Sequence, residues 1–149
     1  MYHYTESGLN NVYLRDGYNT IEIDGEAAVS IHDIVGLHKV ISRRIIRKSP
    51  SLSGDEIRFL RKEMNLTQSL FASIISVSDD TVLGWENGRT SVSGPADKLI
   101  RGVYVDHIDG DGGLRQIIDG MARINNEIIE DMHDMNFEEG VNGVWEEAA

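Results

Sequence analysis

Between Ser53 and Gly88 the chain carries three helix-start signals so closely spaced that only short helices fit between them. Ser53 followed by Glu56 has the form of a capping box, in which the serine hydroxyl accepts from a first-turn N–H and the glutamate reaches back to the cap. Ile57, Leu60 and Met64 then share one face, so this helix is expected to run to about Met64. Thr67 can cap a second helix with Leu70, Phe71, Ile74 and Ile75 inward, and Ser78 a third with Val82 and Trp85 inward. Only Ser76 and Val77 separate these two. Two short helices joined by a tight turn, the second opening on polar residues and closing on Trp85-Glu86-Asn87-Gly88, form the arrangement that inserts a recognition helix into a DNA major groove.

The flanks read differently. From Asn11 to Ile31 the pattern is β, with Asp16-Gly17 and Asp24-Gly25 between short apolar runs; Asp-Gly is a strong hairpin signal because the turn needs φ > 0. Two or three strands are expected. Ser30, three residues before Asp33, is a candidate N-cap, and Ile34, Leu37, Ile41 and Ile45 recur at helical spacing up to Lys48, before Pro50 ends the helix. This helix would expose Lys39, Arg43, Arg44, Arg47 and Lys48, either as a solvated face or as a phosphate-contacting flank. A further helix begins after Gly94-Pro95, and His107 to Gly113 is too rich in glycine and aspartate to be anything but a turn or loop. A last helix is expected over Leu114–Met135, its stripe of Leu114, Ile117, Met121, Ile124, Ile128 and Met135 closing the core or pairing with a second copy. Residues 137–149 show no periodicity and are expected to be a mobile acidic tail, although Trp145 is an odd residue to leave in water.

The 149-residue chain has the length of about one ordinary domain and can bury a genuine core. A net charge of −11 would argue against a nucleic-acid partner if it were uniform. It is not. Residues 1–38 carry six acids and one base, residues 39–105 carry eleven bases and seven acids, and residues 106–149 carry twelve acids and two bases. The middle, where the short helices lie, is therefore basic between acidic ends. The acidic last third reads as a solvated surface and tail, as a site for a basic partner, or as a segment folding over basic residues 39–62 in competition with DNA. Cysteine is absent, which excludes disulfides and thiolate metal sites. The start lacks a signal peptide and no apolar run is long enough to span a membrane, so a soluble cytoplasmic protein is expected. Asp109, Asp111 and Gly112 approach the spacing of a calcium loop, but His107 and Ile118 stand where two strong oxygen ligands belong, and a plain turn is expected. His3, His32, His38, His107 and His133 form no i,i+4 pair, so no metal is assigned. There is no nucleophile elbow, phosphate loop or dinucleotide fingerprint, and the chain is read as not an enzyme, with no cofactor.

Residues 56–101 resemble the helix-turn-helix domain of the phage repressor and Cro (XRE-type) family. The matching residues are Leu66-Thr67-Gln68, Ala72, Val77-Ser78, Thr81-Val82, Trp85-Glu86-Asn87-Gly88 and Pro95. Ala72 would be small because two helices cross closely there, and Gly88 offers the positive φ that ends the recognition helix. The resemblance implies a mainly α fold: a five-helix repressor-like helix-turn-helix domain, a small N-terminal β-hairpin region and a C-terminal helix. The divisions are 1–30 for the hairpin region, 31–49 for a linking helix, 50–106 for the DNA-binding domain, 107–136 for a loop and C-terminal helix, and 137–149 for the tail. More narrowly, Tyr4 to Tyr18 and Ser30 to Ile41 preceding such a domain resemble bacterial regulators related to antitoxins of the MqsA kind, here without their zinc-binding cysteines.

These resemblances imply a sequence-specific transcriptional regulator, a dimeric repressor of a palindromic operator in double-stranded DNA, and in the antitoxin cases one that neutralises a toxin, here a basic protein. Arg61 and Glu86 would form an ion pair between the first and third helices. Gln68 would hold one phosphate through the start of the second helix, and Asn87 and Arg89, with Thr90, another. Ser78, Asp79, Asp80, Thr81 and Gly84 would face the bases. Two aspartates there are a departure, because a carboxylate reads a base only by accepting a hydrogen bond, chiefly from cytosine N4. Asp79 also has a purely structural reading, as an acid favoured in a helix's first turn. The alternative function is a protein-interaction module that keeps the fold and has lost the operator.

Overall fold

The computed structural model describes residues 1–110 and 136–148. Its elements follow the caps. Strands β1 (Tyr2–His3) and β2 (Tyr13–Leu14) pair antiparallel, as do β3 (Tyr18–Ile23) and β4 (Glu26–Ile31). Five helices follow: α1 (Ile34–Arg47), α2 (Gly54–Glu63), α3 (Gln68–Ile75), α4 (Asp79–Glu86) and α5 (Gly94–Asp109). A last hairpin pairs β5 (Phe137–Glu139) with β6 (Trp145–Glu147). Among the described residues four of these helices lie beyond residue 50, and the fifth is the linking helix α1.

Each helix start is built from the side chain that begins it. Ser53 accepts from Glu56 N while Glu56 accepts from Ser53 N, the reciprocal box that satisfies two end donors at once. Thr67 accepts from Leu70 N, Ser78 from Thr81 N and Ser93 from Ala96 N. For α1 the cap is Asp33, not Ser30. Its carboxylate accepts from Gly36 N at 3.2 Å, and Ser30 is consumed as a β4 strand residue opposite Asn19.

The core runs through Ile45 of α1, Ile57 and Leu60 of α2, Phe71 and Ile74 of α3, Val82 and Trp85 of α4, and Ile100 and Val103 of α5, with Leu9 and Leu52 packed into the same cluster. Leu70 departs from the inward face expected of it and is 46% exposed. Phe59 is buried although it lies off the Ile57–Leu60 stripe, because α2 is covered on a second side: its ring meets His38 of α1, 5.2 Å between centroids. His38 in turn bonds Tyr4 Oη at 2.9 Å and Glu63 Oε1 at 2.7 Å, a chain that ties the N-terminal segment to α1 and α2. Burial, assisted by the Glu6 and Glu63 carboxylates, holds the Tyr4 phenol above its ordinary pKa.

Three further expectations are corrected. Asp16-Gly17 does not turn a hairpin between neighbouring strands, because β2 pairs back to β1, a strand too short to show in the sequence pattern. Asp24-Gly25 does, with φ of 51° and 81°, the positive pair that matches the twist of a two-residue turn. The helix α5 continues through His107, Ile108 and Asp109, where a loop was expected, and residues 137–147 form a hairpin instead of an unstructured tail. The helix expected over Leu114–Met135 and the rest of the calcium-like segment, residues 111–118, lie outside the described residues.

One polar knot joins α5 to the α1–α2 connection. Arg101 donates to the carbonyls of Ile46, Lys48 and Pro50 and pairs with Asp97 at 2.8 Å, while Asp97 Oδ2 accepts from Leu52 N at 2.7 Å. These groups are largely buried, so removing one strands the others. Asp97→Ala is expected to lower unfolding free energy in urea by about 1–3 kcal/mol, the cost of buried donors left without an acceptor.

Candidate nucleic-acid interface

The α3–α4 pair is closed by a turn that side chains could not easily reverse. Ser76 caps α3 at φ 63°, and Val77 N donates to Ala72 O at 3.0 Å, bringing α4 in immediately afterwards. Ala72 is fully buried, as a close crossing requires. At the opening of α4 the Ser78 and Thr81 hydroxyls bond each other at 2.7 Å, in addition to the cap. Ser78, Asp79 and Asp80 are exposed and Thr81 half-buried, so this end of the helix is presented to solvent.

The other end of α4 is held by Glu86, whose side chain is completely buried. Arg61 of α2 forks onto it, Nε to Oε2 at 2.8 Å and Nη2 to Oε1 at 2.9 Å, and its Nη1 donates to Leu66 O at 2.9 Å. Gln68, at the start of α3, donates to Glu86 Oε1 at 3.3 Å. Arg58 adds a second guanidinium: Nη2 donates to Glu86 O at 2.8 Å and Nε stands 3.4 Å from Oε1. One carboxylate therefore registers α2, α3 and α4 against each other. The geometry is bidentate and each of the three guanidinium nitrogens of Arg61 donates, which favours a buried ion pair that offsets its desolvation.

Past α4 the chain turns at Gly88, φ 77°, and folds back over Gly84. Arg89 N and Thr90 N both donate to Gly84 O, at 2.9 and 3.2 Å. A Cβ on Gly84 would lie 2.9 Å from Thr90 Oγ1. Gly84, expected to face the bases, is accordingly buried under Arg89 and Thr90, and the absence of a side chain lets these two residues close over it. Asn87 Oδ1 accepts from Arg89 N, and Arg89 Nη2 stands 3.5 Å from Asp80 Oδ1. Asp80, Asn87, Arg89 and Thr90 thus share one exposed flank, while Gln68 sits apart, facing Glu86.

Two residues escaped the sequence reading. Arg58 lies one turn before Arg61 on α2, a spacing that places both on one helix side and could have signalled the second guanidinium. Leu83 is 42% exposed on α4, four residues after Asp79, and supplies an apolar group on a face otherwise opened by polar ones. Among the described residues no cluster of three potential metal ligands occurs; His3 goes to Asn10 O, His32 to Asn19 and His38 to Tyr4 and Glu63. Nor is any described helix long and apolar enough to cross a membrane.

Residues 57–95 match the family model described as helix-turn-helix, which spans Arg61, Gln68, Glu86 and the α3–α4 pair. The antitoxin HigA-2 of Vibrio cholerae serotype O1 is 33% identical over 51 residues, covering 34% of this chain. The chain spans about half the length of that curated relative. No solved structure matches the chain. The matched residues 57–95 are those that fold as α2, α3, α4 and the start of α5.

Removing one partner of the Glu86 cage should be costly. Glu86→Ala would leave Arg61 buried without its anion and is expected to destabilise by about 3–5 kcal/mol in denaturant unfolding, with the Arg61→Met, Glu86→Leu double variant losing less than the single one.

Proposed function

We propose that the chain is a DNA-binding transcriptional regulator: a cytoplasmic repressor that binds a palindromic operator as a homodimer and serves as the antitoxin of a toxin–antitoxin pair, a metal-free relative of the MqsA kind. The observation that carries the reading is the α3–α4 pair locked through Glu86 with the N-terminal half of α4 left exposed. That is the geometry in which a second helix enters the major groove while the first crosses the backbone. The likeness of part of the chain to an antitoxin supports the toxin partner, and the acidic last third suits a basic one.

In this reading the amide end of α3 at Gln68 and the Asn87–Thr90 turn hold phosphates on either side of α4. Ser78, Asp79 and Thr81 approach base edges, with Leu83 placed to pack on a thymine methyl. Asp80 is drawn toward Arg89, which lowers the repulsion that a carboxylate would otherwise present to the backbone. A second reading rests on the same two aspartates: an acidic opening to α4 also fits a basic protein surface, as in a module that no longer binds an operator.

Fluorescence anisotropy against duplex from upstream of its own gene and a scrambled duplex, at two salt concentrations, tests the reading. Preference for the upstream duplex of about a hundredfold or more, with both complexes weakening as salt rises, is expected. Folded protein that binds neither duplex at low salt would leave the interaction module. Arg89→Ala should weaken both duplexes alike and flatten the log–log salt slope by about 1, whereas Leu83→Ala should change the ranking of sequences.

A further inference from the structure

We infer that a groove on the α1 side of the molecule is the docking site of the chain's own C-terminal hairpin, β5–β6. The groove, about 530 Å³, lies between the N-terminal segment and α1 and is lined by Val12, Tyr13, Val40, Ile41 and Arg44, among others, and by Lys48 with its ion-pair partner Glu56. Its rim leaves apolar surface in water: Tyr13 is 56% and Val40 64% exposed. Beside it α1 turns Lys39, Arg43 and Arg47 outward. The site is thus an apolar trough with a cationic edge.

The hairpin is its complement. Residues directly opposite in an antiparallel pair share a face, so the register Phe137↔Glu147, Glu138↔Glu146 and Glu139↔Trp145 places Phe137, Glu139 and Trp145 on one side and Glu138 with Glu146 on the other. Both aromatics are exposed, Phe137 by 59% and Trp145 by 71%. Residues 136–148 contain four glutamates and no base. A two-stranded ribbon is marginal in water by itself, and Glu138 faces Glu146 directly, which weakens it further. A surface that takes up the aromatic pair and sets a cation near Glu139, which shares their face, stabilises the ribbon, and the α1 groove with its edge provides both.

Helix α5, which precedes the hairpin in the chain, also reaches this edge. Arg43 Nη2 stands 3.6 Å from Asp109 Oδ1, so the end of α5 already lies at the cationic edge of α1. The hairpin follows on the same chain, and its docking is an intramolecular event that needs no second molecule.

Carbodiimide cross-linking of a mixture of ¹⁴N- and ¹⁵N-labelled full-length chain tests this. Lys39 should be joined to Glu139, the acid on the docked face, in same-isotope peptide pairs only. Mixed-isotope pairs would place the hairpin on a second copy, and no such link would leave the groove without this occupant; either result overturns the inference. Independently, the K39E/R44E variant should raise acrylamide quenching of Trp145 about threefold, the size of a lost exposed ion pair, while Trp85 stays buried in the core. E138K/E139K/E146K should do the same, and combining the two sets should restore protection. Quenching of Trp145 that ignores both charge reversals would contradict docking at this edge.

Discussion

The buried carboxylate of Glu86 is the constraint from which the rest of the helix-turn-helix follows. It cannot remain ionised in the interior without partners, and its partners come from three helices: Arg61 and Arg58 from α2, Gln68 from α3, and its own position at the end of α4. Helices of eight residues, such as α3 and α4, are too short to persist alone, so their mutual placement is set by packing and by this cage. Satisfying one buried charge therefore also positions the exposed end of α4, which links the stability of the domain to the surface it presents. The turn residues act in the same direction. Ser76 and Gly88 at positive φ end α3 and α4 abruptly, and Gly84 lets Arg89 and Thr90 close over the helix.

What could be read in advance was local. Ser53, Thr67, Ser78 and Asp24-Gly25 act on backbone groups within four residues, so their roles are present in the sequence itself. Arg61 with Glu86 was legible only through resemblance, since they lie twenty-five residues apart. The rest depended on contacts that no local pattern encodes. Phe59 is buried because His38 and the N-terminal segment cover a second side of α2, and Leu70 is exposed because nothing described packs on that side of α3. Strands β1 and β2 are two residues each, shorter than any periodicity can register. Gly84 was assigned to the bases by its position along α4, yet what decides its place is the returning backbone of residues 89 and 90.

Charge is distributed to fit a surface divided by task. The basic middle of the chain carries both the helix-turn-helix and the outward face of α1, and the acids are gathered at the two ends. At the exposed opening of α4, Asp80 and Arg89 stand within reach of each other on one flank, so the local field of α4 is less negative than its first two residues suggest. Both residues are well exposed, and salt screens such a pair; its importance lies in orienting Arg89 more than in stability. The net charge of −11 is therefore a poor guide to what this surface binds, and the position of each charge is a better one.

The most direct measurement is a ¹⁵N-resolved titration of the full chain with operator duplex, following backbone amides residue by residue. The account predicts that the amides of residues 68–71 and 78–90 move together, while those of the β3–β4 hairpin at residues 18–31 stay where they are. Perturbations confined to other parts of the chain, or none at low salt with the domain folded, would contradict it.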